Sequence, residues 1–158
     1  ELGLSTGRDK TKILFLRLDW AKAKGKKYQT EISLKTTSDF SFLVKRYALE
    51  DLFSGKIAAL LQRKDKFAER IKGRDYFDLV WFLEKKVKPN LKYLKEITEI
   101  ENGEQLKKAL IKKITTVDLQ LLSSDLLPLF RDKDFVAKFC AGYQEMALLL
   151  VSRHEWGN

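Results

Sequence analysis

Lys56 and Asp78 are charged residues at positions where the surrounding pattern calls for something else. Lys56 lies in the run Leu49–Arg63 (LEDLFSGKIAALLQR). On a helix its surface neighbours, three and four residues away, are Leu52, Phe53, Ala59 and Leu60, so its stem must cross an apolar stripe. Asp78 lies in Gly73–Leu83 (GRDYFDLVWFL), where the same spacing gives it Arg74, Asp75, Trp81 and Phe82 as neighbours. Charged groups are rarely set against a core unless they are paired or used. Arg74, Asp75 and Asp78 can share one helix face, with Lys56 on the preceding helix. Together they could be a phosphate-handling site. The lysine would neutralise phosphate charge, while a carboxylate would orient that lysine, accept a proton or help hold a metal. The same residues can instead form an ion-pair network that locks two helices together, and spacing alone leans towards that reading.

Glu31 is a further candidate, a carboxylate beside Ser33 on the more polar face of a predicted strand. Metal-dependent phosphoryl-transfer enzymes often place a ligand there, although an exposed strand glutamate is commoner. Trp20, Tyr76, Trp81 and Phe82 are most simply core residues. In the segment Asp134–His154, Phe135, Phe139, Tyr143, Met146 and Leu150 form one stripe, which reads as an interior or partner helix. His154 reads as a cap or surface residue near a helix end. No GxGxxG, Walker A or GxSxG loop occurs.

Composition narrows the classes. The chain has 158 residues, 44% hydrophobic and 34% charged, enough for one domain with a real core and unlike a disordered segment. Its longest uninterrupted apolar run, Met146–Val151, falls far short of the roughly 20 residues that a membrane span needs, so no membrane role is expected. A lone Cys140 and a lone His154 give neither a disulfide framework nor a Cys/His metal cluster, and they fit a reducing, cytoplasmic compartment. The net charge of +9 is uneven. Residues 1–47 carry 11 Lys and Arg against 5 Asp and Glu, residues 48–94 carry 11 against 7, and residues 95–158 carry 9 against 10. A basic field confined to the first 94 residues attracts the phosphates of a nucleotide or an RNA, or is simply a solvated lysine-rich surface.

These residues need elements to hold them. Residues 12–20 (KILFLRLDW) and 28–35 (YQTEISLK) alternate with period two, predicting two strands of a hairpin joined by a lysine-rich loop containing Gly25. From about residue 48 the period becomes helical, predicting helices near 49–63, 73–86, 90–100, 104–116, 118–130 and 134–154. Pro89-Asn90 and Asn102-Gly103 punctuate them, and Pro128 predicts a kink or an early end. The fold class is therefore α+β, a short β-hairpin followed by a bundle of five or six helices. An isolated hairpin is only marginally stable, so more sheet is expected elsewhere. Together with a first residue that is Glu1 rather than Met, this makes the chain read as a piece of something longer.

At LEDLFSGKIAALLQR followed by GRDYFDLVWFL the chain resembles the AbiEii-type nucleotidyltransferases, toxins of type IV toxin–antitoxin and abortive-infection systems. Thr30-Glu31-Ile32-Ser33 is similar to the family's glutamate-bearing strand, Leu49–Arg63 to its lysine helix and Arg74-Asp75-Tyr76-Phe77-Asp78-Leu79 to its RD-x-x-D motif. The resemblance covers about residues 10–85. It implies that residues 1–47 are the β element of a nucleotidyltransferase-like domain and 48–158 a helical domain. It also implies transfer of a nucleotidyl group from an NTP, with Mg²⁺, to an RNA or other acceptor, and a cognate antitoxin as partner. By position, Lys56 would contact the triphosphate and Asp78 would be the active-site carboxylate beside it. Arg74 and Asp75 would support them, and Glu31 would stand near the third carboxylate and metal position.

The family's first motif, a Gly-Ser near a helix start followed by a strand bearing Asp-x-Asp, has no counterpart here. Two-metal transfer needs those ligands. The expectation is thus the C-terminal portion of such an enzyme, inert alone. The alternatives are a non-enzymatic basic module that binds RNA or a partner, and a structural helical domain whose charged cluster is a core ion network.

Overall fold

Period-two alternation places β1 at Thr30–Thr36, and it pairs antiparallel with β2, Ser41–Tyr47, with Thr30 opposite Tyr47 and Thr36 opposite Ser41. The computed structural model describes residues 27–63 and 71–157, so the strand expected at 12–20 lies outside the described residues. The sequence reading contains no strand at β2, because SFLVKRY lacks clean alternation. Its partner and a local turn fix it instead. The Thr37 N–H donates to the Phe40 carbonyl at 2.9 Å, and Thr37 Oγ1 accepts from the Phe40 N–H at 3.2 Å. The half-buried face of β1 carries Glu31 and Ser33, while Ile32 and Leu34 stay 66% and 64% exposed.

Six helices follow: α1 (Leu49–Gln62), α2 (Gly73–Glu84), α3 (Leu91–Ile97), α4 (Gly103–Thr115), α5 (Leu119–Leu126) and α6 (Lys133–Arg153). The asparagines read as breakers are starts: Asn90 caps α3 by accepting the Tyr93 N–H, and Asn102 caps α4 by accepting that of Gln105. Asp118 and Asp132 do the same for α5 and α6. Pro128 ends α5 early, turning Leu127–Leu129 into a 3₁₀ turn. Helix α2 closes through a Schellman turn, in which the Val87 N–H reaches the Phe82 carbonyl at 3.1 Å and Lys86 takes φ +55°.

Helix α6 is the spine. It is long and apolar enough to cross a membrane by length and composition, and it buries Val136, Cys140, Tyr143, Ala147 and Val151 against α2, α4 and α5. That stripe is shifted from the expected one: Tyr143 is fully buried, whereas Phe135 is 42% exposed. Phe53, Ile57 and Leu60 of α1, Leu79, Phe82 and Leu83 of α2, Leu94 of α3 and Leu106, Leu110 and Ile114 of α4 complete one core.

Hairpin and bundle meet at Asp51, which is 2% exposed. Its Oδ2 accepts the Gln29 N–H at 2.5 Å and its Oδ1 accepts from Asn90 Nδ2 at 2.6 Å. Asn90 Nδ2 also donates to the Lys27 carbonyl, and Tyr28 packs edge-on against Tyr47 and Tyr93. A buried carboxylate with two strong donors ties the strand entry to the first turn of α1.

Candidate functional site

Helices α1 and α2 run antiparallel, and three cross-helix pairs step along them in opposite order. Arg63 meets Asp75 at 3.2 Å, Lys56 meets Asp78 at 2.6 Å, and the Phe53 and Phe82 rings stack 4.7 Å apart. Lys56 on α1 and Arg63, the residue that caps its C-terminus, are two turns apart, and Asp75 and Asp78 are one turn apart on α2, so each set shares a face. A separation of twenty-two positions between Lys56 and Asp78 thus closes into one contact.

The two carboxylates differ in depth. Asp75 has a side chain only 6% exposed, beside the Arg63 guanidinium in a crevice that Lys72 and Lys113 also line. Asp78 and Lys56 keep side-chain exposures of 30% and 36%. A buried acid left without its cation is strongly destabilising, whereas a half-exposed pair contributes about 0–1 kcal/mol. The inner pair therefore holds the helices together. The outer pair contributes little to stability, and among the described residues the Lys56 ammonium pairs with Asp78, with two further N–H donors to offer an anion.

Arg74 does not join the cluster. It is exposed and makes no ion pair among the described residues, since a helix turns it about 100° away from Asp75. Its guanidinium is open to solvent one turn before Asp78. Glu31 pairs across the hairpin with Arg46, Oε1 to Nη2 at 2.7 Å, a contact of charges rather than an aligned hydrogen bond. No hydrogen bond or ion pair links Glu31 to Lys56 or Asp78. Arg63 is the residue that sequence reasoning passed over, although its two-turn spacing from Lys56 was a legible signal.

Among the described residues no three His, Cys, Asp or Glu side chains converge as metal ligands. Asp75, Asp78 and Glu31 each already face a cation. The chain's Asp-x-Asp spacing, Asp132-Lys133-Asp134, sits at the start of α6, where Asp132 Oδ1 accepts the Phe135 N–H as a cap. The described residues therefore do not fit a Mg²⁺ site. Cys140 is a buried free thiol, and burial pushes its pKa up. What the outer pair presents at the surface is a half-exposed ammonium held by one carboxylate oxygen.

No curated protein and no solved structure matches the chain. A family model, described as nucleotidyl transferase AbiEii toxin, type IV TA system, matches residues 26–141. That span takes in both strands, α1 to α5 and the first part of α6, and so reaches well past residue 85. Glu31, Lys56, Arg74, Asp75 and Asp78 all fall within it. Such families generally use an NTP and a divalent metal, and a type IV system implies an antitoxin partner. With most of its length matched, the chain belongs to the AbiEii family of nucleotidyl transferase toxins of type IV toxin–antitoxin systems.

Proposed function

We propose that the Lys56–Asp78 pair is the triphosphate-handling part of a nucleotidyl transfer site whose acceptor is an RNA or another hydroxyl-bearing molecule. The observation that carries this reading is the 2.6 Å contact between Lys56 Nζ and Asp78 Oδ2 on the half-exposed rim of α1 and α2. In the reaction the acceptor hydroxyl attacks the α-phosphorus in line, forming the new phosphodiester bond as the bond to pyrophosphate breaks. Lys56 neutralises charge on the phosphates, most usefully where it builds on the leaving pyrophosphate. Asp78 keeps the ammonium aimed. The exposed Arg74, one turn away, supplies a second cation to the same face. The described residues do not group into a metal site.

The test is calorimetric titration of ATP into the wild type, Lys56→Ala and Asp78→Asn, with urea unfolding of each in parallel. Losing one charge-assisted hydrogen bond should weaken ATP binding by roughly ten- to a hundred-fold. Stability should change by no more than about 1 kcal/mol, as a half-exposed pair predicts. Unchanged ATP affinity in Lys56→Ala would sink the proposal, as would a stability loss of several kcal/mol. RNA binding with a steep salt dependence, untouched by Lys56→Ala, would point instead to a basic binding module.

A further inference from the structure

Leu52 and Trp81 are exposed apolar residues one helical turn from Lys56 and Asp78, at 39% and 40% exposure. Leu52 is one turn before Lys56 on α1, and Trp81 is one turn after Asp78 on α2. Because the two helices run antiparallel, both residues lie at the same end of the pair. The ion pair is thus bordered on one side by an apolar ledge. On its other side lies the charged Arg63–Asp75 layer.

The indole is not a loose surface ring. Its plane stands at 90° to Phe82 with centroids 4.9 Å apart, and Phe82 lies flat on Phe53 at 4.7 Å and 12°. Phe53 and Phe82 are 0% and 3% exposed, so the core fixes the orientation of the exposed aromatic. Among the described residues the other exposed aromatics are elsewhere. Phe40, Phe42 and Tyr47 belong to the hairpin and its turn, and Phe135 packs in a ring cluster with Phe77, Phe130 and Phe139.

We infer that Trp81 is the platform on which the base of a nucleotide stacks when its triphosphate is held at Lys56. This rests on the reading of Lys56 given above and adds the element that a cation alone lacks. A lysine ammonium recognises any phosphate, so it cannot distinguish a nucleotide from inorganic polyphosphate. A rigid aromatic face about one helical turn, roughly 5 Å, along the surface gives the base its own contact. Stacking is tolerant of base identity, because every base has a π-face. The site would therefore select nucleotides as a class.

Two probes separate the roles: ATP, and inorganic tripolyphosphate, which has the charge but no base. Each is titrated into the wild type, Trp81→Leu, Trp81→Phe and Lys56→Ala, with indole emission followed alongside the heat. Trp81→Leu should weaken ATP binding about ten-fold and leave tripolyphosphate binding unchanged. Trp81→Phe should retain most of the ATP affinity. ATP but not tripolyphosphate should quench emission, and the quench should vanish in Trp81→Leu while Trp20 and Trp156 still emit. Unchanged ATP affinity in Trp81→Leu, or an equal loss of both probes, overturns the stacking role. If tripolyphosphate binding still depends on Lys56 in that case, the triphosphate reading survives. Tripolyphosphate binding indifferent to Lys56→Ala, or no binding of either probe, overturns both.

Discussion

At the scale of single residues, depth separates groups that look alike in the chain. Asp75 and Asp78 are both aspartates with a basic partner on α1, but only Asp75 is buried, so only its partner is structurally required. Tyr143 shows the same principle without a partner. It is fully buried on α6, its hydroxyl has no hydrogen-bond partner among the described residues, and burial pushes its pKa far up. The ring is held by Tyr76 and Phe139, at centroid distances of 5.8 and 5.6 Å. Tyr143→Phe keeps those contacts and removes an unpaired buried oxygen. It should leave stability unchanged or raise it by about 1 kcal/mol, read as the shift of the urea midpoint at constant slope. A loss of stability would mean that the hydroxyl is satisfied after all.

At the scale of elements, two glycines should answer the same substitution with opposite signs. Gly73 begins α2 where that helix abuts α5: a Cβ there would lie 2.9 Å from Leu126 Cγ and 3.1 Å from the Leu122 carbonyl oxygen. Its N–H donates to Asp125 Oδ2 at 2.7 Å, so the first turn of the helix that carries Asp75 and Asp78 is seated on α5. Gly73→Ala should cost about 1–3 kcal/mol through overpacking. Gly55, in the middle of α1, has nothing within 4 Å of a built Cβ. Gly55→Ala should stabilise by about 0.5–1 kcal/mol, because only the backbone entropy of glycine is removed. Urea unfolding of both variants decides the matter, and equal signs would mean that the α2–α5 contact is looser than it looks.

At the scale of the whole molecule, the C-terminal residues close the bundle. Trp156 donates its indole N–H to the Val151 carbonyl at 3.0 Å, and Trp156 and Gly157 cover Gly103 at the start of α4. His154 lies between Trp156 and Phe53, with ring centroids 4.6 and 6.4 Å away. Burial lowers its pKa, the Lys88 ammonium lowers it further, and Glu155 partly opposes. A histidine whose folded pKa is depressed binds fewer protons in the folded state than in the unfolded one. Its contribution is therefore fully present above the unfolded pKa of about 6.5 and is lost as pH falls through the lower folded value. Unfolding free energy should fall as pH drops below about 6.5, and His154→Phe should flatten the curve there. Glu155, whose carboxyl is held below its usual range by Lys88, weakens only at more acid pH, so the two windows are separable. A slope unchanged in His154→Phe would assign the pH dependence to other groups.

Much of this protein is written locally. Helical periodicity and the residues Asn90, Asn102 and Pro128 place six helices to within a few residues, because hydrogen bonds and caps act over one turn. Lys56 and Asp78 stand out for the same reason: a charge that breaks an apolar stripe is visible from its own neighbours. The lysine helix and the RD-x-x-D motif carried the family resemblance. Strand β2 was not legible, since its pairing is imposed by β1 and by the Thr37–Phe40 turn rather than by its own pattern. Nor was it legible that Asp75 would be buried on Arg63 while Arg74 faces solvent. That depends on how α1 and α2 rotate and cross, which the packing of α4, α5 and α6 behind them sets. The junction of Asp51 with Gln29 and Asn90 joins residues 22 and 39 positions apart, and no local rule reaches that far. The sequence by itself determined which groups could do chemistry. The tertiary structure alone decided which of them is buried as a brace and which stands half exposed, because burial is a property of everything packed around a residue.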